Sequence, residues 1–145
     1  MAYSEEWVSF PADAESGRTV IVTLREEIAR YRDSGKYIYR IDVHWDYSAK
    51  ADGMPDETDE PLLEEATDSL LLAFKKDPVA VMTGIYTGDG RRDWVFYTRS
   101  LHIFQKVFNR GLESIDRTLP LLIEAEEDPE WEEYTELRAN LPEEF

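Results

Sequence analysis

The sequence predicts a single α+β domain built on an antiparallel sheet, and three stretches carry this prediction. Residues 36–47 alternate between apolar and polar side chains, residues 79–98 contain two apolar arms around a glycine turn, and two helical stretches flank that hairpin. From residue 36 to residue 125 the predicted order is strand, helix, strand, strand, helix, strand. This βαββαβ order is that of the split βαβ, or ferredoxin-like, fold, with both long helices on one face of the sheet.

An N-terminal hairpin and a short helix precede this core. The hairpin is predicted at residues 7–24, because turn-forming residues separate a short apolar stretch from one with strict alternation. The helix is predicted at residues 25–32, because Leu24, Ile28 and Tyr31 share one helical face. We expect the hairpin either to extend the sheet or to shield it.

Residues 36–47 are predicted to form a long strand with one apolar and one polar face. The apolar face holds Tyr37, Tyr39, Ile41, Val43, Trp45 and Tyr47, and the polar face holds Arg40, Asp42, His44 and Asp46. A period of two over this length is typical of a β-strand.

Two amphipathic helices are predicted from apolar residues at helical spacing. The first is capped by Thr58 or Asp59, carries Pro61 in its first turn, and has Leu63, Ala66, Leu70 and Phe74 as inward residues. The second is capped by Ser100, and its inward residues are predicted to be Leu101, Phe104, Phe108, Leu112 and Ile115.

The hairpin at residues 79–98 is predicted to turn at Gly88, Asp89 and Gly90, because glycine and Asp-Gly pairs supply the positive φ angles that such turns need. Apolar side chains occur at both parities in each arm. Both arms are therefore expected to be central strands, covered at least partly on both sides.

The C-terminal part is predicted to contain a strand at residues 119–125 and a last short helix. Pro120 places the strand at the edge of the sheet or marks its start. The helix opens at Asp128 and Pro129. Its inward residues are predicted to be Trp131, Tyr134 and Leu137. The single domain, residues 1–145, thus divides into a core at 35–127, an N-terminal addition at 5–34 and a C-terminal helix within 128–145.

The composition limits the classes of partner. The chain has 145 residues, no cysteine, and 16 basic against 32 acidic side chains, a net charge of −16. The lack of cysteine excludes disulfides and thiolate chemistry. The negative field would repel a phosphate backbone and attract a basic protein surface, so we expect no nucleic-acid binding. With no signal segment and no apolar run of about 20 residues, we expect no membrane contact and a cytoplasmic location.

Several motifs are similar to one bacterial family. Residues 87–92 read TGDGRR, residues 94–97 form the aromatic arm WVFY, and residues 128–134 read DPEWEEY. Together with Gly53-Met54-Pro55, they resemble the bacterial domain of unknown function 695 family over about residues 7–137. That resemblance implies no reaction. A more distant similarity, in element order, acidity and hairpin, is to the regulator of ribonuclease activity B family. It implies an acidic ferredoxin-like protein that binds and restrains a ribonuclease.

Four residues are candidates for a ligand site. Arg91 and Arg92 follow a glycine-rich turn, where two guanidinium groups and backbone amides suit a carboxylate or a phosphate. The structural alternative is that both arginines pair with the protein's own acids, such as Asp93. His44 and Tyr97 complete the candidate site around the hairpin.

The sequence predicts no catalytic residue, no metal and no cofactor. Asp42, His44 and Asp46 share a strand face and offer oxygen and nitrogen ligands, but three residues on one straight strand rarely converge on one ion. His102 is predicted to lie on the polar side of its helix, at the surface.

The function predicted from the sequence is that of a non-catalytic, acidic protein-binding or regulatory module with a basic or neutral protein partner. Self-association through an edge strand or an open sheet face, giving a homodimer, is the simplest version of this interaction. The alternative is a protein that binds a small molecule or an anion at a site around residues 88–92 and His44. An enzyme is one form of this alternative.

Overall fold

The computed structural model describes residues 6–141, which form a six-stranded antiparallel sheet and four helices. The strands are β1 (Trp7–Asp13), β2 (Thr19–Arg25), β3 (Tyr39–Asp46), β4 (Ala80–Gly88), β5 (Arg91–Thr98) and β6 (Leu121–Glu127). The helices are α1 (Ala29–Asp33), α2 (Glu60–Lys76), α3 (Leu101–Gly111) and α4 (Glu132–Ala139). The α+β class is therefore confirmed.

The strand order across the sheet is β1-β2-β4-β5-β3-β6, and every neighbouring pair is antiparallel. The N-terminal hairpin extends the sheet, because β2 pairs with β4. Strands β4 and β5 lie in the centre, as their apolar side chains at both parities predict. The strand that follows Pro120 lies at the edge, where a residue without a backbone N–H is tolerated.

Helices α2 and α3 pack side by side on one face of the sheet, which we call the helical face. The buried side chains there include Leu63, Leu70 and Phe74 of α2, Phe104 and Phe108 of α3, and Ile41, Trp45, Trp94 and Phe96 of the sheet. Ser100 caps α3, and its hydroxyl accepts a hydrogen bond from the Ile103 N–H at 3.2 Å.

The predicted burial of one α3 residue, Leu101, is wrong. Leu101 is exposed, because the first turn of α3 overhangs the edge strand β6, whose Ile123 is also exposed. Among residues 6–141 no further strand lies beyond β6 to cover this end of the core. His102 is at the surface, as predicted.

The other side of the sheet, which we call the opposite face, is covered at one end by α1 and α4. A second apolar cluster forms there from Tyr31, Tyr37, Val81, Tyr97, Trp131 and Tyr134. Trp131 stacks on Tyr97 with the ring centroids 4.2 Å apart, and its indole N–H donates to the Tyr37 carbonyl at 2.8 Å. The remainder of the opposite face, towards the β4–β5 turn, carries charged side chains such as Asp46 and Arg91 beside the apolar Val20 and Val22.

Candidate functional site

Arg91 and Arg92 lie on different faces of the sheet, because successive residues of a strand point in opposite directions. The Arg91 side chain is 50% exposed and lies on the opposite face. The Arg92 side chain is 10% exposed and lies on the helical face, against α2. The two arginines are adjacent in the sequence but therefore lie in two separate environments.

On the opposite face, Asp93 joins His44 to Arg91. The register of β3 and β5 places His44 directly across from Asp93, and the His44 Nδ1 lies 2.7 Å from Asp93 Oδ1. The Arg91 Nε lies 3.0 Å from the same oxygen. The His44 Nε2 lies 3.0 Å from Glu124 Oε1 on β6. Both ring nitrogens of the histidine therefore face carboxylates.

A second group of ionisable residues lies further along the same face, beneath α4. Arg40 contacts Asp42 at 3.4 Å and also pairs with Glu126. The Tyr86 hydroxyl donates a hydrogen bond to the Glu133 carboxylate. Burial raises the pKa of Asp42 and that of Glu133, since a carboxylate loses hydration there. The pKa of Tyr86 is raised for the same reason and by the adjoining Glu133 charge.

An open cavity of about 570 Å³ lies beside these residues, at the end of the opposite face that α4 leaves uncovered. Its apolar lining includes Val20, Val22 and Leu137, together with the ring of Tyr86. Its charged lining consists of four carboxylates, those of Asp13, Asp46, Asp89 and Asp93, and one cation, Arg91. The cavity is therefore acidic, although a predicted candidate arginine lies in its wall.

The carboxylates of this cavity differ in how far they are already neutralised. Asp93 forms an ion pair with Arg91 and contacts the His44 ring, whereas Asp89 forms an ion pair with Arg18 at 3.4 Å and accepts a hydrogen bond from Ser16. Asp13 and Asp46 are exposed, and neither makes an ion pair or a side-chain hydrogen bond with another residue of the described range 6–141. Two acceptor groups in the wall are thus available to an incoming donor.

Tyr97 lies on the same face as Arg91 and His44 but at the far end of β5, beneath α4. Its hydroxyl donates to Asp128 Oδ2 at 2.6 Å, and burial together with this hydrogen bond raises the pKa of Tyr97. Asp128 also accepts from the N–H groups of Glu132 and Glu133, at 2.9 and 3.3 Å, and so caps the start of α4. The structure thus brings His44 and Arg91 together and places Tyr97 and Arg92 elsewhere.

Sequence reasoning missed the residues that complete the polar group. The sequence predicts Asp93 only as a partner of the arginines, although pairing of β3 with β5 in register places it opposite His44. No local sequence pattern indicates the contact between Tyr86 and Glu133, because 47 residues separate them in the chain. Only the packing of α4 onto the sheet brings them into contact.

The predicted metal candidates do not converge. Asp42 pairs with Arg40, whereas His44 pairs with Asp93 and Glu124. Among residues 6–141 there is no group of three or more histidine, aspartate or glutamate side chains placed to hold a metal ion. No helix in that same part of the chain is long and apolar enough to cross a membrane.

The fold and the site together define an acidic α+β protein with a six-stranded antiparallel sheet, helices on both faces and an open acidic cavity. A family model matches residues 5–137, and its description is family of unknown function DUF695. The chain belongs to this family. No curated protein and no solved structure matches the chain.

Proposed function

We propose that this protein is a non-catalytic binding module for a basic protein partner, and that the acidic cavity receives an arginine or lysine side chain of that partner. The single observation that carries the proposal is the lining of the cavity. Four carboxylates and one arginine surround an apolar floor in an open concavity. A long basic side chain has the same two parts, an apolar stem and a cationic head.

The electrostatics of the cavity support a cationic ligand over an anionic one. The positive charge of Arg91 is already opposed by Asp93 at 3.0 Å, so Arg91 adds little attraction for an anion. Asp13 and Asp46 have no such counter-charge within residues 6–141. The net charge of −16 adds a long-range field that steers a basic partner towards this surface.

The test is a binding titration with a fluorescein-labelled arginine-rich peptide, followed by anisotropy. The double variant Asp13→Asn, Asp46→Asn removes the two unpaired carboxylates, and Asp33→Asn, Asp116→Asn is the control with the same change in net charge at exposed positions away from the cavity. We expect the cavity variant to bind about tenfold more weakly than the control. Binding should also weaken at about 0.5 M salt, where the Debye length is only about 4 Å.

Equal weakening by the two double variants would refute the cavity as the docking site and leave only a general charge effect. Absence of peptide binding at low salt would refute the basic partner altogether. Sedimentation of the protein alone provides a further check, because a homodimer that buries the cavity would make it unavailable to another protein.

We also propose that residues 35–127 form a ferredoxin-like unit. Without β1 and β2, the strand order is β4-β5-β3-β6, and α2 and α3 pack together on one face of these four strands. This arrangement is the one expected of a ferredoxin-like βαββαβ unit. We further propose that the protein acts in the bacterial cytoplasm, as its resemblance and its lack of cysteine suggest. Comparison of an experimental structure with ferredoxin-like domains tests the first statement, and cell fractionation tests the second.

A further inference from the structure

A second cleft lies on the helical face, between α2 and the paired strands β2 and β4. Its volume is about 340 Å³, and Ile21, Thr23, Ile85 and Thr87 form the wall made by the sheet. Glu64 and Thr67 form the wall made by α2, and Arg92 lies between the two walls. The sheet separates this cleft from the acidic cavity, so the two do not share a ligand.

Arg92 is held in this cleft mainly by neutral groups. Its Nε donates to Thr87 Oγ1 at 2.9 Å, and its Nη1 donates to Thr67 Oγ1 at 3.2 Å. The Thr67 hydroxyl is in turn fixed, since it accepts from the Trp94 indole at 2.9 Å and donates to the Leu63 carbonyl at 2.8 Å. These contacts orient the guanidinium but do not neutralise it.

The only carboxylate that pairs with Arg92 in the described range 6–141 is that of Glu64. The pair is a single contact of 3.2 Å to Nη1, and the Glu64 side chain is 61% exposed whereas that of Arg92 is 10% exposed. A cation this deeply buried is stabilised best by a counter-ion that is also desolvated and bound by two parallel hydrogen bonds. Glu64 therefore provides incomplete compensation.

The second terminal nitrogen of Arg92, Nη2, differs from the other two guanidinium nitrogens. The guanidinium makes its hydrogen bonds through Nε and Nη1, and Nη2 has no hydrogen-bond partner among residues 6–141. Nη2 is not fully buried, and the Arg92 side chain lines the cleft. A buried, oriented guanidinium thus presents an unused donor to an open space.

We propose that this cleft binds a small monocarboxylate with a short apolar chain. The carboxylate accepts hydrogen bonds from Nη1 and Nη2 of Arg92 and displaces Glu64 towards solvent, while the apolar chain lies against Ile21 and Ile85. A carboxylate fits better than a cation, because Arg92 is the charge at the bottom of the cleft. The inference does not depend on the proposed protein partner, whose site is on the opposite face.

The test is an NMR titration of the whole protein with butyrate, with butyramide as the uncharged control ligand of the same shape. We expect saturable shifts of the Arg92 Nε–H and Trp94 indole N–H signals, with a Kd of about 1 mM, and none with butyramide. Glu64→Gln removes the competing carboxylate at an exposed position and should tighten butyrate binding at least about threefold. Arg92→Lys keeps the charge but removes the planar guanidinium that donates two parallel hydrogen bonds. It should weaken butyrate binding about tenfold.

Arg91→Lys is the matched control on the opposite face and should leave butyrate binding unchanged. Butyramide binding as tight as that of butyrate would overturn the proposal, and so would an unchanged or weaker affinity in Glu64→Gln. Phosphate binding as tight as that of butyrate would overturn the assignment to a carboxylate. Because Glu64 is exposed, the Glu64→Gln titration decides the matter even if Arg92→Lys does not fold.

Discussion

Gly53 lies so close to the β4–β5 turn that a Cβ atom on it would be 2.9 Å from the Cα of Asp89. The Gly90 N–H donates to the Gly53 carbonyl at 2.8 Å, and the Tyr47 hydroxyl donates to the same oxygen at 2.6 Å. The loop between β3 and α2 therefore supports the turn that carries Asp89 and Arg91 into the acidic cavity.

Gly53→Ala should destabilise the protein by about 3 kcal/mol, because it adds a backbone clash to an unfavourable positive φ. Gly90→Ala is the matched control, since the φ of Gly90 is +85° against +87° for Gly53 and no atom of the described residues lies within 4 Å of its added Cβ. The control should lose only about 1 kcal/mol. Urea denaturation measures both, and equal losses would contradict the close approach.

Arg92→Ala should lower the free energy of unfolding by about 2 kcal/mol, because it removes a buried side chain that bonds to Thr67 and Thr87. Arg91→Ala should change it by less than about 0.5 kcal/mol, since the Arg91 side chain is half exposed and Asp93 keeps its contact with His44 at 2.7 Å. Thermal denaturation of the two variants in parallel tests the difference. A larger loss for Arg91→Ala than for Arg92→Ala would show that the buried contacts of Arg92 are not the stronger ones.

Tyr97→Phe should cost about 1–2 kcal/mol, because it removes a donor from Asp128, which is buried and caps α4. Tyr39→Phe serves as the control, since the Tyr39 hydroxyl makes no hydrogen bond with a residue of the described range. Chemical denaturation gives both free energies. If Tyr97→Phe is neutral, the hydroxyl does not hold the cap.

Glu133→Gln should stabilise the protein near pH 7, by about 1 kcal/mol or less, while keeping an acceptor for the Tyr86 hydroxyl. Burial raises the folded-state pKa of Glu133 above the ordinary value of 4.5. Its contribution to stability is therefore fully present below the unfolded pKa and falls as the pH rises through the folded pKa. The gain from the variant should be smaller at about pH 4 than at about pH 7.

Urea denaturation at both pH values measures this dependence, with exposed Glu136→Gln as the control. A gain that is larger at the acidic pH would show that the carboxylate of Glu133 is stabilised, not penalised, by its surroundings.

Much of the fold could be predicted from local patterns. The alternation in β3 and the apolar residues at both parities of β4 and β5 reflect burial on one or both faces, which each strand records in its own sequence. The Ser100 cap and the edge position after Pro120 were predicted for the same reason, since both depend on the backbone chemistry of one or two residues. The exposure of Leu101 was missed because helical periodicity does not show where a helix overhangs the sheet.

The candidate site could be predicted only in part. His44 and Arg91 lie on one face and both contact Asp93, but the sequence predicts Arg92 and Tyr97 as further residues of the same site. Strand parity separates Arg92 from Arg91, and distance along β5 separates Tyr97 from both. The charge of the cavity also differs from the one that a pair of neighbouring arginines suggests, because Asp13, Asp46 and Asp93 reach it from three different strands.

The sequence by itself determined the elements, their burial and the overall sign of the charge, because each of these depends on residue type and on short-range spacing. Only the tertiary structure decided which polar groups meet. The pairing of β3 with β5, the packing of α4 over Tyr97 and the contact of Gly53 with the hairpin join residues that are far apart in the chain. Such contacts depend on which distant strands pair and on where the helices pack, and the pattern within a single element does not determine either.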